Sequence, residues 1–239
     1  MKDRKLAVMQ PYFFPYIGYF SLIKHVDEFI LFDPVQYIRH GWIERNRILK
    51  QSEGWLYVRV PIVRESSRSL IKDIIINNQE NWVEKITAQL QVYKKTAPHY
   101  STVYPFLKNL LETKHKSIVS LNQSCLEEVC KYLGFYKELP VFSDMGLKIE
   151  QPVEPDDWAL NISKALDGVT EYWNPPGGKD FFSREKYLKS GIELKFHEVE
   201  LQQYDQGKRD FEAGLSIIDV LMFNSISEIN SMLDMYELS

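Results

Sequence analysis

Between Asp33 and Arg47 the chain gathers carboxylate, imidazole, three guanidinium groups and two carboxamides into one stretch: Asp33-Pro34-Val35-Gln36-Tyr37-Ile38-Arg39-His40-Gly41-Trp42-Ile43-Glu44-Arg45-Asn46-Arg47. The arginine fork matches phosphate or carboxylate through two parallel hydrogen bonds, so Arg45 and Arg47 are expected to hold an anion. A histidine in its ordinary state changes charge near neutrality, which makes His40, together with Asp33, the candidate proton acceptor. Gln36, Tyr37, Trp42 and Asn46 supply amides and aromatic faces beside them. The competing reading of the same run is a solvated, salt-bridged segment, against which the interleaved Tyr37 and Trp42 weigh.

A second group precedes it. Gln10-Pro11-Tyr12-Phe13-Phe14-Pro15-Tyr16-Ile17-Gly18-Tyr19-Phe20 carries two prolines, each lacking an N–H and fixing φ, so the segment up to Tyr16 reads as a loop. Loops normally run over the surface, and one this aromatic must either line a cavity or plug the core. Gln10, Tyr12, Tyr16, Gly18 and Tyr19 are its candidate ligand contacts, with Gly18 admitting close backbone approach. Farther along, Tyr172 leads into Asn174-Pro175-Pro176-Gly177-Gly178-Lys179-Asp180, a strong turn signal whose Gly177 and Gly178 amides are candidates to cradle an anion. Asp219 interrupts the apolar pattern Leu215, Ile218, Leu221, Met222 and is read as a buried structural acid or, alternatively, a site residue. Histidines 25, 40, 99, 115 and 197 show no ligand-pair spacing, so no metal site is expected. Cys125 and Cys130 are expected to be core thiols.

The elements that must position these groups are legible from periodicity. Leu6–Met9 and Phe29–Phe32 are short apolar runs of the buried-strand kind, separated by helical spacing at Phe20, Ile23 and Val26. Residues 56–63 and 70–76 read as further strands, and 193–201 as a strand by alternation of Leu194, Phe196 and Val199. Helices are expected over 81–95, 104–111, 119–133, 155–166, 183–190, 215–223 and 226–233. Ser120 or Asn122 is the expected N-cap of the third, and Gly134 its C-terminal glycine. A short strand is expected within 140–147. Strands alternating with helices predict an α/β fold with a mostly parallel sheet and flanking helices, in one domain over 1–239 with 81–135 as a helical subdomain. In such sheets ligands bind outside the carboxyl ends of the strands, which puts the loops after the first two strands side by side. A strand, a proline-containing loop and a glycine opening a helix also resemble the start of nucleotidyltransferases with a His-x-Gly-His signature. Here Tyr16 and Tyr19 stand at the two histidine positions, so the resemblance implies a related (Rossmann-like) core without that imidazole chemistry.

Bulk properties narrow the class. A net charge of −4 excludes a large nucleic-acid footprint. An apolar fraction of 44% suits an ordinary globular core, and 13% aromatic residues, led by Tyr, exceed what a bare core requires. The charged start, Lys2-Asp3-Arg4-Lys5, is followed by four apolar residues, too few for a signal peptide, and no apolar run approaches ~18–20 residues. A cytoplasmic location without a transmembrane segment is expected.

The blocks Met9–Phe20, Asp33–Ile38 and Gly41–Leu49, with Asn81-Trp82, Tyr172–Gly178 and Leu215–Leu221, resemble the WbqC-like proteins along nearly the whole chain. That family is associated with bacterial surface-polysaccharide (O-antigen) gene clusters, and the resemblance brings no catalytic residue with it. It implies a biosynthetic role, with N-acyl or aminoacyl transfer to a nucleotide-linked amino sugar as the leading expectation. Acyl carrier protein, coenzyme A or ATP are the candidate co-reactants. ATP-dependent amide ligation and a non-catalytic scaffold of glycan assembly are the rival readings.

Overall fold

The computed structural model describes residues 3–63, 66, 68–207 and 210–239. The chain forms an α/β fold whose sheet is mostly parallel and flanked by helices. Strand β1 (Arg4–Met9) leads through helix α1 (Ile17–His25) to β2 (Glu28–Leu31). An antiparallel hairpin of β3 (Arg45–Leu49) and β4 (Trp55–Arg59) follows. Three helices come next: α2 (Trp82–Gln89), α3 (Tyr100–Glu112) and α4 (Ile118–Tyr132). Helix α5 (Asp157–Ala165) leads to β5 (Val169–Asn174), and α6 (Arg184–Lys189) to β6 (Glu193–Val199). Helices α7 (Ile217–Phe223) and α8 (Ile226–Leu233) and the short strand β7 (Tyr236–Leu238) complete the order.

In the sheet the order is β2-β1-β5-β6-β7; only β7 runs antiparallel. A parallel bridge from Leu31 to Val141 adds a rudimentary strand outside β2. From β1 the chain moves one way across the sheet and from β5 the other, so the direction reverses between these two strands. That is where the carboxyl ends of a parallel sheet leave a crevice.

Strand alternation sends neighbouring side chains to opposite faces. Leu6, Val8, Ile30, Tyr172, Leu194 and Phe196 enter a smaller core under α5 and α6. Ala7, Phe29, Leu31 and Trp173 face the other way, into a larger core shared with α1, α7, α8 and the helices α2–α4.

Several local expectations are corrected. Residues 70–76 make a single 3₁₀ turn at Ile71–Asp73 and isolated bridges rather than a strand. Ile71 and Ile74 are both fully buried, and their i, i+3 spacing fits that turn. The N-cap of α4 is Ser117, whose side chain accepts from Ser120 N–H; Ser120 and Asn122 lie inside the helix. Gly134 ends α4 as expected, at φ 88°, with Phe135 N–H returning to Cys130 O. Strands β3, β5 and β7 were not anticipated.

Candidate functional site

The loop after β1 is both plug and wall. Phe13 and Phe14 are fully buried, and Phe14 holds an unusual φ of 40°. The backbone there is pinned from four directions. Asn122 donates to Pro11 O and Ile43 O, Asn46 to Phe13 O, Ser216 to Phe14 O, and Ile217 N–H to Pro15 O. With the phenylalanines held down, Gln10, Tyr12 and Tyr16 are left half-buried on the opposite side. Tyr19 is buried too, and its hydroxyl donates to Gln10 O at 2.7 Å. A Cβ at Gly18 would come within 2.5 Å of the Tyr16 ring, so this glycine serves the ring's placement.

Two chambers meet at Tyr12. The first, about 460 Å³, lies at the carboxyl ends of β1, β2 and β5, at the reversal point. Its walls include Tyr12, Phe32, Trp158 and Phe182, with the amides of Gln10 and Asn174 and the carboxylate-bearing Glu154 at its border. Asn174 is held by its own Nδ2–H to Pro175 O, and its Oδ1 lies 3.3 Å from the Tyr172 hydroxyl. The second chamber, about 290 Å³, is walled by Tyr12, Tyr16, Trp42, Asn46 and Arg47. Burial raises the phenols of Tyr12 and Tyr16 above their ordinary range, so both remain neutral donors at neutral pH.

Other candidates stand elsewhere. Asp33 is 1% exposed, and both of its oxygens are engaged by the backbone N–H and hydroxyl of Ser143. His40 sits exposed at φ 61°, with its N–H on the buried Glu44 and its ring Nδ1 4.0 Å from the same carboxylate. Neither residue lines a chamber. Tyr37 is buried, its phenol pushed up by burial and by Glu44. Gln36 is exposed in a bridge with Leu70. Arg45 stacks on Tyr57 at 3.8 Å and donates to His40 O. In the turn after β5, Gly178 N–H bonds Pro175 O and Lys179 N–H bonds Pro176 O, so these two amides are spent within the turn. Gly177 is exposed. Gly178 is required for packing, because a Cβ there would lie 2.2 Å from Asn174 Nδ2.

Glu154, which borders the first chamber, lies with Asp156 and Asp157 in a cluster of three carboxylates close enough together to hold a cation. The Lys186 ammonium lies among them, within 3.1 Å of each, and they raise its pKa. Asp219 is the structural acid of the two readings. Fully buried, it accepts from Tyr93, Tyr204 and Gln206 at 2.8, 2.6 and 2.8 Å.

Sequence reasoning missed Phe32, Glu154, Trp158, Asn174 and Phe182. Asn174 had a usable signal, standing immediately before a Pro-Pro turn. Trp158 had one too, just inside a helix opened by acidic residues.

These features define an α/β protein with a two-chambered, aromatic-walled cleft over the carboxyl ends of a mostly parallel sheet. By sequence the chain belongs to the WbqC-like protein family, which it matches over residues 10–231. It is 29% identical over 227 residues to an uncharacterised Mycobacterium tuberculosis protein, Rv1507c, covering 92% of this chain and 94% of that one. No solved structure matches it. Among the described residues no helix is long and apolar enough to cross a membrane.

Proposed function

We propose that the protein modifies a nucleotide-linked amino sugar by N-acyl or aminoacyl transfer, with the sugar nucleotide in the chamber at the reversal point. The observation that carries this is the chamber itself: flat rings for a base or sugar, the amides of Gln10 and Asn174, and a carboxylate at the border. The resemblance-based link of the family to surface-polysaccharide clusters supports the sugar. An attacking amine must shed a proton. Glu154 is the carboxylate bordering the chamber, so it takes the acceptor role in this reading in place of His40 and Asp33. Trp158 and Phe32 supply stacking faces, their rings 5.3 Å apart.

A second reading, ATP-dependent amide ligation, draws support from the order of strands around β1, extended outward by the Val141 bridge, and from the loop that joins β1 to α1.

A thermal-shift titration separates the readings. Uridine- or thymidine-linked amino sugars at ~100 times their Kd stabilise by about 2.7 kcal/mol, which for this size is roughly 5–11 °C. Trp158→Ala should abolish that shift, and Glu154→Gln should bind but fail to turn over. A shift with ATP alone favours ligation. If no small molecule shifts the protein, the scaffold reading replaces both.

A further inference from the structure

The second chamber contains a cation that no carboxylate among the described residues pairs with. The Arg47 guanidinium lies between the rings of Trp42 and Trp55, 5.5 and 5.2 Å from their centroids, and donates through Nη2 to Gly214 O. Its Nε is buried without a hydrogen-bond partner, and among the described residues no carboxylate pairs with Arg47. A partly buried cation costs free energy unless it meets an anion, so an unpaired guanidinium on a cavity wall marks a place where an anion is brought from outside.

We infer that the second chamber binds a small monocarboxylic acid with a flat apolar body, held by Arg47 and stacked among Tyr12, Tyr16 and Trp42. This rests on the proposed modification of an amino sugar in the first chamber; an acid joined to that amine would first have to be activated, which ATP does in the ligation reading.

Three features select that chemistry. One guanidinium matches one negative charge, whereas a pyrophosphate would bring two or more and find no second cation among the described residues of the wall. Tyr12 and Tyr16 keep their hydroxyl protons and add neutral donors suited to a carboxylate rim. The cavity, about 290 Å³, stands at the lower edge of small-molecule sites and is walled by rings, which favours a short, flat body. Shared contact with Tyr12 sets this occupant beside whatever fills the first chamber.

The test is calorimetric titration of the full chain with phenylacetate, with inorganic phosphate as competitor. Saturable phenylacetate binding is expected, weakened about tenfold or more in Arg47→Gln, where a charge-assisted bond is lost. Tyr16→Phe, which removes only a hydroxyl, should weaken it less, and it keeps the test alive if Arg47→Gln does not fold. Displacement by phosphate at lower concentration would overturn the carboxylate assignment. So would undiminished affinity in both variants, or no binding by the wild-type chain. Amino-sugar nucleotides are titrated separately. If they bind and phenylacetate does not, this inference falls while the first-chamber reading stands. If phenylacetate binds through Arg47 and no sugar nucleotide binds, the inference holds and that reading falls.

Discussion

His197 is a buried imidazole that pairs with no carboxylate among the described residues. Its ring packs between Tyr236 and Trp173, with ring centroids at 4.4 and 5.9 Å, and beside His25 at 6.2 Å. The Ser21 hydroxyl donates to Leu233 O, so it accepts at 3.1 Å from the Nε2–H of a neutral His197. Asp234, the acid in this group, is committed to Lys24 and His25. Burial, reinforced by the neighbouring His25, lowers the His197 pKa from 6.5 to about 4. Between those values the unfolded chain binds the proton more readily, so stability is complete above about pH 6.5 and falls as pH drops toward 4. Urea unfolding at several pH values should show this slope. His197→Gln, which keeps a donor for Ser21, should flatten it; an unchanged slope would assign the acid sensitivity to other groups.

At the scale of elements, caps and strands differ in how openly they are written. The apolar period of α4 is plain, but three hydroxyl or amide residues compete for its start. Only the turn geometry selects Ser117, which joins the helix from an extended backbone with its oxygen aimed at Ser120 N–H. Ser117→Ala should therefore cost about 1 kcal/mol. Ser120→Ala, on an exposed face, should stay within about 0.5 kcal/mol. Thermal melts of both variants check the assignment. The missed strands have a common cause. β5 begins with Val169-Thr170-Glu171, half-buried, and becomes fully buried only over its last three residues, so no apolar run announces it. In β3 the alternation of Arg45 and Arg47 with Asn46 and Ile48 is real, but charges occupy its half-buried face. A strand that pairs in a hairpin, or enters a sheet from a half-exposed end, carries its signal in its partner more than in its own residues.

For the whole molecule, Asp219 acts as a staple. Its carboxylate joins α7 to Tyr93 beyond α2, and to Tyr204 and Gln206 in the segment before α7. Tyr93 carries the connection on by accepting Leu49 N–H of the hairpin. Asp219→Ala would take their shared acceptor from the Tyr93 and Tyr204 hydroxyls and the Gln206 amide, with an expected loss of about 3 kcal/mol or more in urea unfolding. A loss below about 1 kcal/mol would mean that water or a rearranged side chain takes over. The sequence by itself determined the α/β class, β1, α1, β2 and the helical pattern, because those rest on local periodicity and turn chemistry that each segment carries alone. It also marked the loop after β1 as important, and Tyr12, Tyr16, Trp42, Asn46 and Arg47 do converge there. The tertiary structure alone decided that Asp33 is sealed against Ser143 and that His40 stands outside both chambers. It alone brought Trp158 and Asn174 to the end of β1, across about 150 residues of chain. Proximity of that kind arises from strand order and from which carbonyl or carboxylate each polar group finds on folding, and no spacing along the chain encodes it.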